Sequence, residues 1–93
     1  MDVRDAVKQA KNWINDVMAE ERPENVGLEE VEFDDVERIW KITLGFSRPW
    51  NTSKSALSAL TGDLAARRAY RTLLIDDTTG AVKGMVRKTA IGE

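Results

Sequence analysis

Neither cysteine nor histidine occurs in the 93 residues of the chain. Their absence removes disulfide staples, thiolate nucleophiles, zinc sites of the Cys/His kind and imidazole acid–base catalysis. Most common enzyme constellations go with them, so the chain reads as a non-enzyme with no catalytic residue, no metal ligand and no cofactor. Without cysteine the redox compartment stays open. No apolar run approaches the ~20 residues of a membrane-spanning helix, and the N-terminus lacks the apolar stretch of a signal peptide. As written, the chain reads as one small cytoplasmic domain over residues 1–93, with no membrane span; a mature exported domain would carry the same sequence.

A formal net charge of −2 conceals an uneven distribution. Residues 1–46 hold twelve acids against six bases, whereas residues 47–93 hold four acids against eight bases. The plainer interpretation is two solvated surfaces of opposite sign that attract across the fold, since net charge bears on association more than on folding. The sharper one is a basic face for an acidic partner.

Asp2 is suited to cap a helix, and Asp5 adds a second negative charge beside the positive end of the helix dipole. Val3, Ala6, Val7, Ala10, Trp13, Ile14, Val17 and Met18 then recur at steps of three and four or their sums, while Arg4, Lys8, Lys11, Asn12, Asn15 and Asp16 fall on the other side. The spacing predicts one amphipathic helix ending near Glu20, because Pro23 disfavours helical geometry at Arg22. After a linker ending at Gly27 the period changes to two. Val31 and Phe33, a turn at Asp34–Asp35, and then Trp40, Ile42, Leu44 and Phe46 outline a β-hairpin with one apolar face.

Residues 47–66 break the alternation with Pro49 and a polar cluster, which predicts a flexible excursion, and loops of that length are often functional. "RAYRTLLIDDTTGAVKGMVRK" supplies two further strands joined by Asp76 to Gly80, with Gly80 suited to a left-handed position. The order α-β-β-loop-β-β predicts an α+β domain, an N-terminal helix on one face of a four-stranded antiparallel sheet.

Candidate sites are few. The pairs Asp34–Asp35 and Asp76–Asp77 sit at turns, where neighbouring side chains do not converge, so they read as turn residues rather than catalytic carboxylates. "DDTTGAVKG" lacks the ligand pattern of a calcium loop, and the glycines do not open a helix as a phosphate cradle requires. Arg67, Arg68, Arg71, Lys83, Arg87 and Lys88 belong to the last two strands and could share a patch. Nucleic acid is disfavoured as its partner, because the chain is acidic overall and Tyr70 is the only aromatic nearby. Trp50 stands in a polar loop where no core periodicity demands it; it either folds over the end of the core or anchors a partner. The leading expectation is therefore an interaction module that binds another protein through residues 49–60 and the adjoining strand edge, using Trp50, Leu57, Leu60, Arg67, Arg68 and Arg71. The alternative is a small-ligand-binding domain with a pocket between helix and sheet around Trp13, Trp40 and Tyr70. Self-association is expected to stop at a monomer or a weak homodimer, because cationic residues guard the last strand.

"DAVKQAKNWI", "LEEVEFDDVERIWKITLGF" and "YRTLLIDDTTGAVKG" together resemble the PepSY domain, a small bacterial module with a cystatin-like arrangement of helix and antiparallel sheet. The last of these segments is similar to the family's ending, in which a strand runs into an acidic turn, a Thr-Gly pair and a final strand. The resemblance leaves residues 47–66 out. It implies a non-enzymatic module that inhibits or regulates peptidases, usually outside the cytoplasm, with no catalytic residues to carry over.

Overall fold

The computed structural model describes residues 1–48 and 68–88. Helix α1 spans Val3–Val17. The Asp5 backbone N–H donates to Asp2 Oδ1 at 2.9 Å and the Asp2 N–H to Asp5 Oδ2 at 3.3 Å, so a reciprocal capping box satisfies donors that the first turn leaves without partners. The helix ends sooner than its periodicity suggests. Met18 caps it, a 3₁₀ turn follows at Ala19–Glu21, and Arg22 takes a left-handed backbone with φ 49°. Two acids at the negative end of the dipole and a proline two residues beyond Glu21 both oppose further α-helix.

Four strands follow: β1 (Glu24–Asp34), β2 (Ile39–Ser47), β3 (Ala69–Asp76) and β4 (Val82–Lys88). All pair antiparallel with their sequence neighbours in the order β1-β2-β3-β4. The architecture is thus the α+β layout that the sequence predicts, although β1 begins before Gly27 rather than after it. The stretch that reads as a linker is strand, made irregular by Asn25 at φ 55° and by a register shift between Glu24 and Gly27. A second shift lies between Leu28 and Glu30. Ser47, at the head of the expected excursion, closes β2; the rest of that excursion lies outside the described residues.

Helix α1 lays Ala6, Ala10, Ile14 and Met18 against Ile42, Leu44 and Phe46 of β2 and Ala69, Leu73 and Ile75 of β3. Each large side chain so buried contributes about 1.5–3 kcal/mol. Small alanines let the helix approach the sheet closely. Gln9 Nε2 donates to the Gly80 carbonyl at 2.7 Å, which ties the helix to the β3–β4 turn.

Among the described residues no helix lies over the opposite face of the sheet, yet Thr43 is only 2% exposed. Its hydroxyl lies 2.8 Å from that of Thr72 on β3. Lys88 of β4 and Glu30 of β1 form an ion pair that reaches across these two strands. Arg68 approaches Glu29 to 3.9 Å and donates to the Asn25 carbonyl at 2.9 Å. Tyr70 lies over Gly45, where an added Cβ would come 2.9 Å from the Tyr70 ring and from the Glu29 carboxylate. Glycine is required there by close approach alone. Gly45→Ala should therefore destabilise the domain by about 1–3 kcal/mol in urea unfolding. Combining it with Tyr70→Ala should cost less than the sum of the single changes, whereas additivity would show that the Tyr70 ring is not the obstruction.

Candidate functional site

One aspartate of each pair caps its turn. Asp34 Oδ1 accepts from the Val36 and Glu37 backbone N–H groups, each at 3.0 Å. Asp76 Oδ1 plays the same part for Thr78 at 2.8 Å and Thr79 at 2.9 Å, and Gly80 closes that turn at φ 76°. Asp77 differs. It accepts from the Trp40 indole at 2.9 Å and from Arg38 Nη2 at 2.9 Å, and the amino terminus lies 3.8 Å away. One carboxylate thus joins both hairpin turns and the start of the chain. The Arg38 guanidinium lies 5.1 Å from the Phe33 ring centroid, and the Phe33 and Trp40 rings pack 4.6 Å apart.

All three carboxyls sit below the ordinary value of 3.8: Asp34 through the Glu37 N–H above all, Asp76 through the Thr79 and Thr78 N–H groups, and Asp77 through the Trp40 indole first, with burial opposing in each case. Each lowered value follows from hydrogen bonds that hold a turn or join the two hairpins. Among the described residues no group of three or more acidic side chains could hold a metal ion, and no helix is long and apolar enough to cross a membrane.

The more open chemistry lies on the helix side of β1. Leu28 pairs with Leu44 and Val31 with Ile42, which places both on the face that α1 covers. They are nonetheless 45% and 38% exposed, because α1 packs chiefly on β2 and β3. Between the flank of the helix and β1 runs a trough of about 460 Å³, lined by Val3, Val7 and Leu28 with Arg4, Lys8 and Lys11. Val3 and Val7 sit one turn apart, and the three cations follow at steps of four and three on the adjoining stripe. The trough is apolar within and cationic along its helix side.

The described ones among the residues singled out from sequence are not gathered in one place. Trp50, Leu57, Leu60 and Arg67 lie outside the described residues. Arg68 turns to the helix-free face, where it meets Glu29; Arg71 lies on the helix side, its guanidinium 5.8 Å from the Phe46 centroid. The basic residues of the last two strands therefore divide between two faces: Lys88 accompanies Arg68, and Arg87 pairs in register with Arg71. Trp13 and Trp40 pack against the core on the helix side, whereas Tyr70 lies on the opposite face over Gly45. Periodicity alone places Val3 and Val7 on the helix stripe and Val31 on the apolar face of the first hairpin, while Leu28 follows the expected linker and joins neither. The legible signal was a mismatch of width, one helix against four strands.

Comparison with protein-family models, with curated proteins and with solved structures finds no match for this chain.

The depressed carboxyls fix the acid limb of stability. Their folded values lie below 3.8, so the contribution is complete above the unfolded value and is lost as pH falls through the folded ones. Urea midpoints measured downward from pH 5 should fall most steeply below pH 3.8, and Asp77→Asn should flatten that limb while lowering stability at pH 7. An unchanged acid limb in Asp77→Asn would show that the carboxylate latch carries no linkage.

Proposed function

We propose that this domain is a non-enzymatic interaction module that holds an apolar segment of another protein, flanked by acidic residues, in the trough between α1 and β1. The observation that carries the proposal is the pairing of an open apolar lining, Val3, Val7 and Leu28, with three cations, Arg4, Lys8 and Lys11, along one side. An apolar partner removes the first from water, and carboxylates on that partner complement the second. The loop that the sequence predicts at 49–60, with Trp50, remains part of the proposed binding apparatus and lies outside the described residues. The resemblance to the PepSY domain supports a regulatory role for such binding, with a peptidase as the kind of protein regulated. Carboxylates committed to turns support the non-enzymatic side of the reading.

A second reading has one observation in its favour. At about 460 Å³, the trough falls within the ~300–1,000 Å³ of small-molecule sites, so a small amphipathic carboxylate would fit the same lining.

Both readings are tested with synthetic ligands and methyl and amide NMR. An apolar peptide with Asp and Glu flanks should perturb Val3, Val7 and Leu28 saturably. Leu28→Asp should weaken it by roughly tenfold, the loss of most of one buried leucine. Lys8→Glu with Lys11→Glu should shift the preference to a lysine-flanked peptide of the same core. Equal binding of the acidic and lysine-flanked peptides by the parent protein would contradict the proposal, and saturation by a medium-chain fatty acid without peptide binding would favour the carrier.

A further inference from the structure

The relief of the trough selects among the conformations that an apolar segment can take. On α1 its lining falls into two rows, Val3, Val7 and Lys11 in one and Arg4, Lys8 and Asn12 in the other. Members of each row are spaced by four residues, so each row is one i±4 ridge of the helix. The furrow between two such ridges is the feature into which a ridge of a second helix packs. It runs for about three turns along α1, with Val3 and Val7 on one bank and Arg4 and Lys8 on the other.

β1 contributes Leu28 from below, and just there its backbone is irregular. Register shifts lie on both sides of Leu28, between Glu24 and Gly27 and between Leu28 and Glu30, and Asn25 takes a left-handed backbone with φ 55°. Among the described residues β1 ends the sheet, yet an added strand needs an unbroken row of outward N–H and C=O groups, and bulges interrupt that row and twist the edge. Regular pairing resumes from Glu30, past the residue that lines the trough. An extended segment laid in the trough would therefore bury backbone groups that β1 cannot pair, whereas a helix brings its backbone already hydrogen-bonded.

The spacing of the layers agrees. With α1 over β2 and β3, β1 lies about 5–7 Å to the side of the helix axis, given strands about 4.8 Å apart. Packed helices stand about 8–10 Å apart, so a second helix seated against α1 stands over β1 and its outer edge. There it would cover Leu28 and Val31, which are 45% and 38% exposed.

We propose that the occupant of the trough is an amphipathic helix of the partner protein, with acidic residues spaced by four along the border of its apolar stripe. Its apolar ridge enters the furrow on α1 and covers Leu28, while its acids meet Arg4, Lys8 and Lys11. This rests on the docking reading and narrows it from an apolar segment of any conformation to a helix that completes the upper layer over β1.

Two synthetic peptides of identical composition separate the two levels. In one, leucines recur at i, i+3, i+4 and i+7 with glutamates spaced by four beside them; in the other the same residues alternate with a period of two. The full chain is titrated with each while its Val3, Val7 and Leu28 methyls and the Cα shifts of isotope-labelled peptide are followed. The helical-period peptide should saturate and gain helical Cα shifts as it binds. The alternating isomer should bind about tenfold more weakly or worse, the loss of roughly one buried leucine. Arg4→Glu with Lys8→Glu, both at exposed positions, should weaken the helical-period peptide. Lysines replacing two of its glutamates spaced by four should restore binding to that variant, and lysines spaced by two should not. Equal or tighter binding of the alternating isomer, extended Cα shifts in the bound peptide, or equal rescue at both spacings would overturn the helix and leave docking in place. Saturation by neither peptide would overturn docking itself, and the helix with it. Shifts of the same methyls that grow with protein concentration in the absence of peptide would assign the trough to a second copy of the chain and overturn the partner helix.

Discussion

Among the described residues one helix faces four strands, and the rest of the molecule follows from that mismatch. A helix with its side chains is about 10–12 Å across, while strands lie about 4.8 Å apart, so a single helix roofs about two of them. Here it roofs β2 and β3, whose Ile42, Leu44, Phe46, Leu73 and Ile75 are fully buried. The outer strands must manage differently. On β1, Leu28 and Val31 keep the phase of the core yet stay exposed; on β4, Met85 and Val82 only fringe the cluster. The trough is what remains when the roof ends before the wall.

The helix-free face is closed by long polar side chains. Tyr70 covers Gly45, while the Lys88–Glu30 and Arg68–Glu29 pairs close over the backbone around Thr43. Such exposed pairs contribute little stability individually, about 0–1 kcal/mol each, but their stems exclude water from the central strands. They also show where the uneven charge along the chain goes: acids of the first half meet bases of the second, as Arg48 meets Glu21. At the turn end, Asp77 serves the same purpose with more definite geometry, because its partners Trp40 and Arg38 come from the opposite hairpin.

Much of this frame was legible in the sequence for physical reasons. The Asp2 cap, the 3.6-residue stripe from Ala6 to Met18 and the period of two from Trp40 to Phe46 each record one buried face, and Gly80 marks the one glycine with positive φ among the described residues. The bulges were not legible. A register shift between Leu28 and Glu30 puts Leu28 and Val31 on one face although they are three residues apart, which defeats a strict alternation of two. The place of Arg71 was recoverable, since it alternates in phase with Leu73 and Ile75; charge suggested a surface patch, and parity pointed to the core. Pairing across faces, such as Tyr70 on Gly45, depends on strand register that no local pattern carries.

The account rests on α1 leaving the helix side of β1 open. The most direct measurement is the paramagnetic relaxation of side-chain methyls by a soluble, neutral gadolinium complex in the free protein. Strong enhancement at Leu28 and Val31, with protection at Ile42, Leu44 and Leu73, is the predicted result. Protection of Leu28 and Val31 equal to that of Leu73 would contradict it.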